Sequence, residues 1–214
     1  MHHLLRTTST SLLGATLLGT AAAAQDPRLE RLDPRVRPLV ASVIDSARAA
    51  GLPTESLVQR ALEGATKGAP GELIAAAVRR LVADLGQARN ALGPSATPPE
   101  LAAGAAALRA GASPAVLAKL RRARPQTVTV PLAVLADLVA SGVPVDSAAA
   151  AVLALATTTR DADLVEFRRA VERDIALGAP PGMAVSTAAT AAYGATGAGV
   201  QLDAGARQAR PSRP

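Results

Sequence analysis

The chain has 214 residues, 49% of them hydrophobic but only 1% aromatic, and a formal net charge of +6. A core made of Ala, Leu and Val favours helices that approach closely, and the aromatic-rich alternation of an all-β protein is missing. Cysteine is absent, which excludes disulfides, thiol catalysis and thiolate metal sites together.

Residues 1–24 read as an address. Arg6 sits in a short opening segment, an apolar stretch follows from Ser11 to Thr20, and Ala21 to Ala24 precede the switch to Gln25-Asp26-Pro27. That is the layout of a secretory signal peptide with cleavage after Ala24, and the stretch is shorter than the ~20 residues a bilayer span needs. The expected location is the periplasm or the exterior. His2 and His3, the chain's two histidines, leave with the leader. Ser-His-Asp, Cys-His and His-metal chemistry therefore lack their side chains in the mature chain. No enzyme activity, cofactor or metal is expected.

Residues 25–33 read as a charged linker, and 34–193 as a helical domain with helices over 34–50, 54–66, 71–91, 98–110, 114–124, 130–141, 144–157, 161–177 and 181–193. Within the third, Leu73, Ile74, Val78, Leu81, Val82 and Leu85 recur at spacings of three and four, which makes one apolar face.

A recurring mark separates these helices. Gly51-Leu52-Pro53, Gly68-Ala69-Pro70, Gly111-Ala112-Ser113-Pro114, Gly142-Val143-Pro144 and Gly178-Ala179-Pro180 each combine a residue that closes a helix with one that suits the start of the next. Gly51, Gly68, Gly111, Gly142 and Gly178 are the expected structural helix stops. Glu55, Glu72 and Asp146 follow in first turns, where the helix dipole favours acids. Loops this short force antiparallel neighbours. The marks at Gly111, Gly142 and Gly178 recur at about the length of one helical hairpin. The expectation is an all-α array of antiparallel hairpins of about nine helices, either solenoid-like or an irregular bundle. From 194 to 214 the chain is rich in Gly, Ala, Arg and Pro, and it reads as a disordered basic tail.

The segment from Ala49 to Leu81, AAGLPTESLVQRALEGATKGAPGELIAAAVRRL, resembles secreted bacterial proteins built from Ala-rich helical hairpins. The resemblance implies fold and export, and it carries no activity.

Candidate chemistry is sparse. Lys119, Arg121, Arg122 and Arg124 cluster at the end of a helix, where they could contact an anion or a partner or simply compensate the dipole. Asp163 and Glu166 lie three apart on one helix face, and with Asp161 they read as dipole-stabilising and surface-paired acids. Asp161 and Asp163 have no loop to supply the six to eight oxygens of a calcium site. Tyr193 reads as a packing residue. The Gly-rich run at Gly194 has no P-loop lysine and no preceding strand. A nucleic-acid interface would want stacking aromatics beside its cations, and these are missing.

The leading expectation is an exported, non-enzymatic helical-repeat scaffold for a protein or peptide partner in the cell envelope. The alternative is a basic envelope protein that holds anionic polymer or lipid headgroups, with a carboxylate-only hydrolase third. No transmembrane segment is expected after leader removal.

Overall fold

The structure, a computed structural model, describes residues 26–208, with side chains described as far as Gly194. The expected leader, 1–24, and the last residues of the expected tail, 209–214, lie outside the described residues. Among the described residues the protein is all-helical, without a strand. A 3-10 turn at Pro27–Arg31 precedes α1 (Arg37–Ala49), α2 (Glu55–Thr66), α3 (Gly71–Leu92), α4 (Pro98–Arg109), α5 (Pro114–Ala123), α6 (Thr129–Ala140), α7 (Val145–Ala156), α8 (Asp161–Ala176) and α9 (Pro181–Gln208).

Five helix ends share one construction. Gly51, Gly68, Gly111, Gly142 and Gly178 take φ of 69°, 65°, 108°, 90° and 97°. At Gly142, the glycine N–H donates to Val139 O and the Val143 N–H to Leu138 O, each at 3.0 Å. This is the Schellman pattern, which satisfies carbonyls the helix leaves open. Val143 then folds back into the core at 2% exposure, and Pro144 caps the start of α7. The same pair of bonds recurs at the other four corners: the residue after the glycine donates to Ala47, Gly64, Ala107 and Asp174 O. A short sequence mark thus becomes a repeated reversal of chain direction.

The reversals build two layers. Odd-numbered helices pack as α1–α3–α5–α7–α9, while α4–α6–α8 pack side by side in the other layer. Every closely packed helix pair is one or two elements apart in the chain, which is the contact pattern of a stacked array rather than a bundle closed on itself. Between the layers run Leu, Val and Ala from each helix, with Phe167 the one buried aromatic.

The chain departs from the sequence reading at both ends. The expected linker carries Leu29 and Leu32, which are 3% and 2% exposed in the common core. Arg28 ties the turn down through ion pairs of 2.7 Å to both Asp26 and Glu55. At the other end α9 continues to Gln208, past the expected stop at 193 and into the expected tail. No proline intervenes until Pro211, and each glycine in the stretch costs a helix about 1 kcal/mol relative to Ala without by itself ending it. Tyr193, read as packing, is 42% exposed.

Candidate functional site

The basic cluster on α5 does not act as one surface. The helical period sends residues three apart to the same side. Lys119 and Arg122 are exposed on one face and make no ion pair among the described residues. Arg121 and Arg124 turn inward on another. Arg124 is 12% exposed and meets Asp161 at 2.7 Å. Arg121 donates to Gln126 O at 3.0 Å and pairs with Glu100.

Glu100, which the sequence reading did not single out, is the centre of this region. Its side chain is 3% exposed. It occupies the third position of α4 and accepts from the Thr97 backbone N–H at 2.8 Å and the Thr97 hydroxyl at 3.0 Å. Across the corner it accepts from the Val128 N–H, also at 3.0 Å. Burial pushes the Glu100 carboxyl up. The amides of Thr97 and Val128, with Arg121 and the Thr97 hydroxyl, outweigh burial and hold it at about 2. A carboxylate with this many donors stays charged and has no lone pair free for proton transfer. It fastens the start of α4, the end of α5 and the entry to α6.

Asp163, Glu166 and Asp137 are also engaged. Asp163 accepts from the Arg160 N–H at 2.9 Å and pairs with its side chain, and these bonds keep it below the usual carboxylate range. Glu166 pairs with Arg169 at 2.8 Å. Asp137 of α6 takes Arg168 of α8 at 2.6 Å. Among the described residues, no three His, Cys, Asp or Glu side chains are placed to hold a metal ion. Among the same residues, no helix is long and apolar enough to cross a membrane.

One cavity-forming feature is a fault in the layering. Of the neighbours within each layer, α2 and α4 are the pair that fails to pack closely. They flank α3 with a groove between them. Two connected hollows, of about 410 and 250 Å³, share Arg60 and Glu63 in their walls. Ser56, Gln59, Arg60, Glu63 and Lys67 line the α2 side at spacings of three and four. Leu73, Ala77 and Leu81 of α3 form an apolar floor at spacings of four. Ala102 and Arg109 of α4 stand opposite. One turn beyond Leu81 is Asp84, whose carboxyl is raised because burial outweighs the nearby Arg109 and Arg80. The groove thus has an apolar strip between two polar walls that carry both signs of charge.

Comparison with family models, with curated proteins and with solved structures finds no match to this chain. What the site does is therefore argued from its own geometry.

Proposed function

We propose that the protein is an exported, non-enzymatic helical scaffold that receives an amphipathic helix from a protein or peptide partner in the groove between α2 and α4. The observation that carries this reading is the lack of close packing between those two helices. The other neighbours within each layer pack closely on one another, and here the flank of α2 and the floor of α3 stay open. A helix laid in such a groove buries apolar side chains at i, i+3, i+4 and i+7 and turns its polar face outward. Leu73, Ala77 and Leu81 offer the matching strip, and Arg60, Glu63, Lys67 and Arg109 offer partners for charges at its edges.

Binding of an anionic envelope polymer has less support, because two of the four clustered cations are engaged by Glu100 and Asp161. Salt separates the two readings. A displayed library of amphipathic helical peptides, selected against the full chain, should yield binders whose affinity changes little with ionic strength. Polyanion binding instead falls steeply as salt rises. A library that yields no binder, while heparin binds in a salt-dependent way, overturns the groove reading. Export rests on the leader-like layout of residues 1–24.

A further inference from the structure

We propose that the helix received by the groove between α2 and α4 is acidic along its edges, with carboxylates set for Arg109 at one end of the groove and Lys67 at the other. This rests on the groove reading above and adds the partner's chemistry to it. The ionisable side chains in the groove walls are three cations, Arg60, Lys67 and Arg109, and one acid, Glu63. Glu63 is already engaged. It pairs with Arg60 at 2.9 Å and with Lys67 at 2.5 Å, and Lys67 and Arg60 hold its carboxyl below the usual range. One carboxylate shared by two cations leaves the α2 wall with an excess of positive charge. Lys67 is 70% exposed, so its ammonium keeps donors free for a second carboxylate.

The α4 wall adds to that excess. Arg109 is exposed, and its guanidinium makes no hydrogen bond or ion pair among the described residues. Asp84 does not neutralise it. The Asp84 Oδ2 is buried without a donor, and burial raises the carboxyl despite Arg109 and Arg80. A basic partner therefore meets no free acid in the walls, and near Asp84 it is repelled by Arg109 and Arg80. An acidic partner meets an unused planar fork at Arg109, which suits a carboxylate, and unused donors at Lys67. The apolar strip of Leu73, Ala77 and Leu81 sets the affinity, which salt leaves largely alone, and the charged edges set the choice of partner.

Calorimetry on the full chain tests this, with the tightest peptide from the displayed library remade in three forms. Each keeps the apolar stripe and carries Glu, Gln or Lys at the positions flanking it. The Glu form should bind about fivefold tighter than the Gln form, the gain expected of an exposed ion pair or two, and the Lys form more weakly than either. At about 1 M salt, where screening acts within ~3 Å, the three should converge on the Gln value. Arg109→Gln and Lys67→Gln should each reduce the Glu preference. Both side chains are exposed, so helical dichroism should be unchanged, and either variant carries the test if the other loses helicity. Arg122→Gln, an equal loss of charge on the exposed face of α5, should leave the preference intact. Equal binding of the three forms, a preference for Lys, or an Arg122→Gln effect equal to that of Arg109→Gln overturns the acidic edges while the groove stands. Failure of all three forms to bind overturns the groove, and the acidic edges with it.

Discussion

Glu100 on α4 and Arg121 on α5 form an ion pair in which the carboxylate is 3% exposed and the guanidinium 23% exposed. The pair survives burial because backbone amides at Thr97 and Val128 supply the other bonds the carboxylate needs. Glu100→Gln removes the charge and leaves Arg121 without its counter-ion. Chemical denaturation should show a loss of about 3 kcal/mol, the usual cost of breaking a buried pair from one side.

The same residue sets an acid limit. Its carboxyl lies at about 2 in the folded protein, against 4.5 ordinarily. A depressed acid contributes stability that is present above its unfolded value and is lost as pH falls through the folded one. Thermal stability should therefore decline as pH drops from about 5 toward 2. In Glu100→Gln that decline should be shallower. A variant with an unchanged pH profile would show that Glu100 is not the group responsible.

Gly142 takes φ of 90° with its nearest outside atom, Pro181 Cγ, 3.7 Å from where a Cβ would stand. Space is available and the backbone angle is the obstacle. Gly142→Val should cost about 1–2 kcal/mol, the penalty for a left-handed conformation in a residue with a Cβ. A neutral result in a denaturation curve would show that the corner does not depend on that angle.

Two helix-interior glycines should respond with opposite sign. On propensity alone each should gain from Ala. At Gly104, however, a Cβ would sit 3.0 Å from Ala88 Cβ, 3.2 Å from Leu92 Cδ1 and 3.3 Å from Leu117 Cδ2. Ala88 is fixed to the backbone of α3 and cannot swing aside, so Gly104→Ala should destabilise by about 1–3 kcal/mol. At Gly86 nothing lies within 4 Å, and Gly86→Ala should stabilise by up to about 1 kcal/mol. Equal shifts of the same sign would contradict the close approach of α3 and α4.

Export predicts that protein recovered from the cell envelope begins at Gln25. N-terminal sequencing decides this. An intact Met1 on soluble cytoplasmic protein contradicts it.

The corners were legible because each is a local bargain between glycine, proline and the last turn of a helix, written within about four residues. Each helix from α2 to α8 begins and ends within two residues of where its pattern places it. Other features were not legible, for different reasons. Leu29 and Leu32 are spaced by three, a core signal, but Arg28, Glu30, Arg31 and Asp33 around them mimic a linker. Thr97 and Glu100 carry the spacing of a capping box, which predicts the local bonds, whereas the bonds to Arg121 and Val128 exist only after α5 has reversed direction. Gly104 reads as an ordinary helix interior until α3 is set against it. The groove has no local signature at all. It arises from how far α2 and α4 stand apart across α3, a distance that no stretch of sequence encodes by itself.

Hydrogen exchange, measured on the full chain with and without a selected amphipathic peptide, tests the groove most directly. The account predicts added protection in the peptide segments covering Ser56 to Lys67, Leu73 to Asp84 and Ala102 to Arg109, with α6 to α8 unchanged. Ala77→Arg and Ala102→Arg, both at partly exposed positions, should abolish that protection while leaving the helical signal intact. Protection centred on α8 and α9, or binding indifferent to both substitutions, would contradict the claim that the open flank between α2 and α4 is where this protein holds its partner.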